Sequence, residues 1–172
     1  SGRLYSMPKP TLAVLPGAAA GAGLSLALAC DLRLISEKGI LTTAFAKVGL
    51  SGDYGGTFLL SRLVGKAKAS ELYFLSDRID AHEALSLGLV NWVCPDDQVQ
   101  EKAMNIARRL AEGPSVAYRY MKENLNRAVS SGDLLDCMDL EATHHISCFE
   151  THDHKNAAMA FAEKRKPSFK GQ

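Results

Sequence analysis

Aromatic residues are scarce in this chain, 7% of 172 positions, and they do not interleave with basic runs. That speaks against the stacking surfaces that hold single-stranded nucleic acid. Charge of one sign is lacking too: 20 Lys and Arg face 19 Asp and Glu, a net of +1. No global field therefore draws the protein to nucleic acid or to an acidic membrane surface. No apolar run is long enough to span a bilayer, and the start does not read as a secretory leader. Cysteine is sparse: Cys30, Cys94, Cys137 and Cys148 form no C-x-x-C pair. They read as buried free thiols in a reducing compartment, and the expectation is a cytoplasmic protein.

What remains is 47% hydrophobic and 23% charged, enough for one globular domain with a real core. "SGRLYSMPKP" reads as the end of a helix followed by a break. "TLAVLPG" (Thr11 to Gly17) predicts a short buried strand stopped by Pro-Gly. Ala18 to Cys30 is apolar nearly all round and predicts a buried helix. Asp31 to Ser36 and Gly39 to Phe45 predict strands around a turn at Glu37-Lys38-Gly39. "SGDYGG" (Ser51 to Gly56) is a glycine-rich loop feeding the helix "TFLLSRLVG", with "KAKASELYFLS" a further short helix. "IDAHEALSLGLV" carries a capping box, Asp80 with Glu83, and a stop at Gly88. Leu89 to Cys94 predicts a strand ended by Pro95. Beyond it only helices are expected, over residues 97–111, 114–129, 133–149 and 152–164. The order predicts an α/β core over residues 1–95 and a helical region over residues 96–172.

The stretch "PGAAAGAGLSLALACD" (Pro16 to Asp31) raises the question of chemistry. No Gly-Lys-Ser/Thr follows, and Gly17, Gly21 and Gly23 do not fit G-x-G-x-x-G, so the spacing disfavours a phosphate cradle. Two readings stay open from the residues. One is a tight turn with small residues for packing. The other is an oxyanion hole, in which backbone N–H groups stabilise charge developing on a carbonyl and small residues let it approach closely.

Four stretches carry a resemblance: "KPTLAVLPGAAAGAGLSLALACDLRL", "AFAKVGLSGDYGGTFLLSRLVG", "DAHEALSLGLVNWV" and "AFAEKRKPSF". In order and spacing they resemble the enoyl-CoA hydratase/isomerase (crotonase) superfamily, over Lys9 to Phe169. The resemblance implies a spiral of β-β-α units and acyl-CoA thioester substrates. It also implies a homo-trimer or hexamer assembled through the helical tail. It places one oxyanion donor on the Ala22 N–H, with Gly21 and Gly23 beside the substrate. The other donor belongs to a loop before Ser1, so the chain reads as a fold incomplete at its N-terminus.

Hydratases of this family use two glutamates, and the matching positions hold Ser25 and Phe45. Adding water needs a base and an acid, so standard hydration is disfavoured. Asp53 matches the catalytic aspartate of isomerase branches, most closely the ring-epoxide phenylacetyl-CoA isomerases, and also the nucleophilic aspartate of aryl-CoA dehalogenases. One carboxylate suffices to move a proton between two carbons of an enoyl thioester. Phe45 and Leu50 would keep that site dry and raise the carboxylate's basicity, while the following helix favours its charged form. The competing role for Asp53 is N-cap of a helix over Tyr54 to Leu63.

In the tail, His144, His145, His152 and His154 lie near Cys148 and Asp153. A zinc site is considered and set aside, because Thr151 or Asp153 reads as a helix cap and the helices match the family's oligomer-forming tail. By resemblance, Phe161 and Lys164 reach the CoA of a neighbouring subunit, and their i, i+3 spacing would place them on one helix face. No cofactor is expected, since coenzyme A is part of the substrate. Three functions are carried forward: an acyl-CoA isomerase, an enoyl-CoA hydratase, and a non-catalytic acyl-CoA-binding relative.

Overall fold

The computed structural model describes residues 1–172, which divide into two compact units. Unit 1 holds Ser1–Ser6 and Thr11–Asn105; unit 2 holds Met7–Pro10 and Ile106–Gln172. The division thus runs through a helix, beyond the 95/96 boundary expected from the change in pattern.

Unit 1 begins with a short helix, α1 (Gly2–Ser6), and is then built as a spiral. β1 (Leu12–Leu15) and β2 (Ala19–Ala20) lead into α2 (Ala22–Leu28). β3 (Leu32–Ser36) and β4 (Ile40–Thr42) lead into α3 (Gly56–Leu75). β5 (Ile79–Asp80), α4 (Ala81–Ser86) and β6 (Trp92–Cys94) complete it. One three-stranded sheet has the order β1-β3-β6, and the other β2-β4-β5. The first is parallel throughout, with Val14 opposite Leu34 and Ile35 opposite Val93. Leu24, Leu28, Ile35, Leu41, Leu60 and Leu72 pack together as its core.

The apolar stretch from Ala18 to Cys30 is not one helix. Ala19 and Ala20 pair with Leu41 and Thr42, and Gly21, at φ 52°, turns the chain before α2 starts. Alanine favours helix, but the sheet position overrides that preference. The strand expected to reach Phe45 ends at Thr42, because Ala44 adopts φ 59° and Phe45 opens a 3-10 turn over Ala46–Val48. The two helices expected after the second glycine loop are the two arms of α3, broken at Gly65 (φ 75°, ψ 162°). Asp80 caps α4 as its pattern predicts, accepting from the Glu83 N–H at 2.9 Å.

A buried arginine ties the spiral together. Arg33 on β3 donates from Nε to the Leu89 carbonyl at 2.6 Å and from its guanidinium to the Cys30 carbonyl at 2.5 Å. Both carbonyls lie just past helix C-termini, of α4 and α2, where a cation complements the helix dipole. Burial lowers the guanidinium pKa, opposed by Cys30 and Asp31.

The remaining helices are α5 (Val99–Ala111), α6 (Ser115–Ser131), α7 (Leu134–Phe149) and α8 (His152–Ala162). In unit 2, α6 packs on α7 and α7 on α8. Thr151 caps α8. Asp153 instead accepts from the Lys170 and Gly171 N–H groups, at 2.7 and 2.8 Å. The last helix ends at Ala162, short of the expected residue 164. Lys164 sits at φ 55°, its N–H bonds the Phe161 carbonyl, and the Arg165 N–H bonds Ala160. That is a Schellman ending with lysine where glycine is usual. Of the cysteines, Cys94 is buried as expected, while Cys30, Cys137 and Cys148 are only partly covered. No helix is long and apolar enough to cross a membrane.

Candidate active site

The first glycine loop is pinned at both ends of one residue. The Gly21 N–H donates to the Thr42 carbonyl at 3.1 Å, and the Gly21 carbonyl accepts from the Ser25 N–H at 3.0 Å. Ala22 opens α2, so its N–H is among the donors that a helix leaves without an internal acceptor. A Cβ at Gly23 would meet nothing within 4 Å, so this face of the loop is open. A Cβ at Gly21 would lie 3.7 Å from the Phe45 ring. Phe45, only 8% exposed, therefore lies buried under the loop.

The second glycine loop carries Asp53 on the surface. Its Oδ1 accepts from the N–H of Tyr54 at 2.6 Å. This is not a helix cap: the N-cap of α3 is Gly55 at φ 75°, with no side-chain hydrogen bond. The carboxylate is thus spared the structural role that competed with chemistry. Tyr54 is held at φ 56°, a conformation that a bulky residue rarely adopts. The expected dry surroundings are not found in the chain itself. Leu50 is 63% exposed and Asp53 is exposed, because the loop stands out from the core between two glycines.

A residue absent from the sequence reading joins the two loops. Tyr73, near the end of α3, returns to the start of that helix because the Gly65 break folds its second arm back. Its ring stacks on Phe45, with centroids 6.3 Å apart and planes 2° from parallel. Its hydroxyl and that of Ser25, a residue only 2% exposed, both face Gly56. A Cβ at Gly52 would come 3.1 Å from the Tyr73 ring, and one at Gly56 would collide with the Ser25 and Tyr73 hydroxyl oxygens. Gly52 and Gly56 flank Asp53, so Tyr73 braces its loop from both sides. Burial raises the Tyr73 pKa, with the neighbouring Ser25 hydroxyl pulling the other way. The phenol therefore keeps its proton at neutral pH. Beyond it lies a cleft of about 340 Å³ lined by both arms of α3, including Ser51, Thr57, Lys66, Ser70 and Tyr73.

The structure thus gathers Gly21, Ser25, Phe45, Gly56 and Tyr73, with Ala22 and Asp53 on adjoining backbone. Leu50 stays out of that cluster, although its N–H donates to the Phe45 carbonyl at 3.0 Å. Phe161 and Lys164 belong to unit 2. Phe161 is 88% exposed, and Lys164 lies beyond the helix end, so the two do not share a helix face. The tail histidines do not converge. His144 places Nδ1 2.5 Å from the Asn124 Oδ1 and Nε2 3.3 Å from Glu123, and stacks on Tyr120. His154 lies against Phe149 instead. No three His, Cys, Asp or Glu side chains are grouped to hold a metal ion.

With this geometry in place, comparison with known proteins is decisive. The family model for enoyl-CoA hydratase/isomerase matches residues 2–172. The chain belongs to the enoyl-CoA hydratase/isomerase family. It is 36% identical over 164 residues to a short-chain-enoyl-CoA hydratase of Clostridium acetobutylicum, covering 95% of this chain and 62% of that protein. It is 34% identical to the 1,2-epoxyphenylacetyl-CoA isomerase of Escherichia coli, covering 99% of this chain and 64% of that one. Among solved structures, an enoyl-CoA hydratase from Bacillus anthracis superposes with a TM-score of 0.95 at 34% identity, over 99% of this chain and 66% of its own. The chain therefore spans about two thirds of the length of these relatives, and the crotonase spiral read from its motifs is the fold it has.

Proposed function

We propose that the protein is an acyl-CoA isomerase, with Asp53 as the proton-transfer base and the Ala22 N–H as an oxyanion donor. The observation that carries this reading is the contrast among three side chains. Asp53 is ionisable, exposed and free of cap duty. Ser25 and Phe45, which stand where the family's hydratases have glutamates, are buried against Tyr73 and offer no carboxylate. Relatives at similar identity include both hydratases and isomerases, so the choice rests on these residues.

The step balances within the substrate. The Asp53 carboxylate takes a proton from C2 of a 3-enoyl thioester. The C–H electron pair moves through the π system, and negative charge collects on the thioester oxygen. The Ala22 N–H stabilises that oxygen more in the dienolate than in the ketone-like ground state, which is what lowers the barrier. The carboxylic acid then returns the proton at C4, leaving the conjugated 2-enoyl thioester. One proton and one double bond have moved, so no redox partner or metal is required.

The CoA moiety is assigned to Phe161 and Lys164 of a neighbouring subunit in a homo-trimer or hexamer. Exposed apolar side chains on α6 and α7, among them Leu125, Leu134, Leu135 and Phe149, support burial of that surface in an assembly. Four cysteines held outside any disulfide support a reducing cytoplasm as its setting.

The test uses the full-length parent chain, wild type and Asp53→Asn. Conversion of 3-hexenoyl-CoA to its conjugated isomer is followed together with α-proton exchange in heavy water. Asparagine retains an acceptor for the Tyr54 N–H, so the loop keeps its geometry. Loss of both activities by about 10²- to 10⁴-fold is expected. Equal activity in the two proteins would remove Asp53 from the reaction.

A further inference from the structure

The strand end that holds the first glycine loop is tied to the helix end that braces the second. Thr42 closes β4, Thr43 follows it, and both are bonded to the last turn of α3. The Thr42 carbonyl accepts from the Gly21 N–H at 3.1 Å, while the Thr42 Oγ1 donates to the Ser76 carbonyl at 3.1 Å. The Thr43 Oγ1 donates to the Leu72 carbonyl at 2.7 Å and lies 3.0 Å from the Ser76 Oγ. A hydroxyl has one proton, and that of Thr43 is on Leu72, so Ser76 is the donor between the two. Thr43 is 3% exposed and Ser76 0%, so water offers no substitute for these bonds. Ser76 is held at φ 51°, a backbone state that a residue with a side chain rarely takes unless its surroundings fix it. Tyr73 lies between Leu72 and Ser76, the two residues that this knot fastens.

We infer that Thr43 is a positioning residue that fixes the Asp53 loop relative to the Ala22 N–H. The inference rests on the roles given to Asp53 and Ala22 under Proposed function. The break at Gly65 leaves the second arm of α3 without a continuous helix to hold its direction. Thr43 and Ser76 fasten the far end of that arm instead. That end carries Tyr73, whose ring stands 3.1 Å from where a Cβ at Gly52 would lie and whose hydroxyl stands 2.5 Å from one at Gly56. Gly52 and Gly56 bracket Asp53, so a shift of the arm is passed to the base. On the other side of the same strand end, Thr42 holds Gly21, the residue before the oxyanion donor. The Phe45 N–H donates to the Thr43 carbonyl at 2.8 Å, which seats the ring that stacks on Tyr73. The two loops therefore share one buried anchor, and their separation is set there rather than in either loop. One carboxylate must reach both C2 and C4 of the substrate, so the reaction depends on that separation.

The experiment uses the full-length protein and 3-hexenoyl-CoA in heavy water. It measures kcat, KM and the fraction of product that carries solvent deuterium at C4. A proton on a well-placed carboxyl is returned at C4 before solvent replaces it, so a looser base raises that fraction. A smaller folded population lowers turnover but leaves the fraction unmoved. Thr43→Val keeps the side-chain shape and loses the hydroxyl, and the Leu72 carbonyl still accepts from the Ser76 N–H at 3.1 Å. It should lower kcat roughly three- to thirty-fold with KM little changed, and raise the deuterium fraction about two-fold or more. Thr43→Ser keeps the hydroxyl and should stay near wild type on both readouts. Ser76→Gly suits the left-handed backbone, removes the other hydroxyl and should move both readouts as Thr43→Val does; it carries the test if Thr43→Val does not fold. An unmoved deuterium fraction in Thr43→Val would overturn the inference, as would Thr43→Ser impaired as badly as Thr43→Val. Complete exchange already in wild type would mean that the base is not held through the transfer, and would overturn it too. Asp53→Asn, run alongside, separates the two claims. Turnover kept in Asp53→Asn, or absent from wild type, would remove the Asp53 reading and this inference with it. Turnover lost in Asp53→Asn while Thr43→Val matches wild type would remove this inference alone.

Discussion

Gly56→Ala is the sharpest single perturbation of the candidate site. The added Cβ would collide with the Ser25 Oγ, come 2.5 Å from the Tyr73 hydroxyl and lie 3.2 Å from the Ser25 Cβ. Neither neighbour has room to retreat. Ser25 is buried within α2, and the Tyr73 ring is held between Phe45 and Gly52. Forcing a methyl into such a site costs about 1–3 kcal/mol. Removing the conformational freedom of glycine from the unfolded chain returns about 0.4–1 kcal/mol. The net is a destabilisation centred on about 1.3 kcal/mol and reaching about 2.6 kcal/mol, or a fall in Tm of roughly 3–5 °C at the centre for a chain of this size. Thermal unfolding followed by circular dichroism reads it directly. Combining it with Ser25→Ala removes the worst collision and should recover most of the loss, which a general packing defect would not allow. Equal or greater stability in Gly56→Ala would refute the close approach of the two side chains to this glycine.

Three further outcomes are expected. Gly23→Ala places its methyl in open space and should raise stability by about 0.4–1 kcal/mol, yet raise KM for an acyl-CoA, because the methyl occupies the face assigned to the thioester; an unchanged KM would move the substrate elsewhere. Lys164→Gly relieves a left-handed lysine and should stabilise the protein by about 1 kcal/mol in thermal melts, while weakening CoA binding in titration calorimetry. Asp96 is held below the usual carboxylate pKa first by its hydrogen bond with Lys38 and then by that with Ser36. Its stabilising contribution is therefore present above the unfolded carboxylate's pKa, about 3.9, and fades as pH falls through the lower folded value. The Tm gap between wild type and Asp96→Asn should be open at pH 7 and close in strongly acidic buffer.

Elements whose signals are local were legible in the sequence. The Asp80 cap, the break at Gly65 and the order of the tail helices all follow from residue type and spacing. Ala19 and Ala20 were not legible as a strand, since their pairing with Leu41 and Thr42 is decided by the sheet. Asp53 looked like a cap because aspartate before Gly-Gly-Thr suits one, but Gly55 takes that position and the left-handed Tyr54 carries the aspartate outside the helix. In the site, the glycines and Asp53 stood out by motif. Tyr73 did not, because "SELYFLS" is an ordinary amphipathic turn. Its meaning comes from the helix folding back on itself, and proximity across seventeen positions of chain leaves no periodic trace. One signal was available: Ser25 and Phe45 both depart from the glutamate pattern, and a partner that suits both is what the fold provides.

The interrupted membership of unit 2 has a consequence for how the protein comes into being. Met7–Pro10 belongs with helices made after Ile106, and the buried Lys122 Nζ donates to the Lys9 carbonyl at 3.2 Å, across 113 positions of chain. A ribosome delivers that carbonyl long before its ammonium partner exists. Closing so long a flexible loop costs about 4 kcal/mol from the length term alone. The whole of Thr11–Asn105 lies inside that loop, so the second unit cannot be completed until the first has been made. The Lys9–Lys122 contact should therefore be among the last to form, and a chain interrupted before Ile106 leaves Met7–Pro10 without the unit it belongs to.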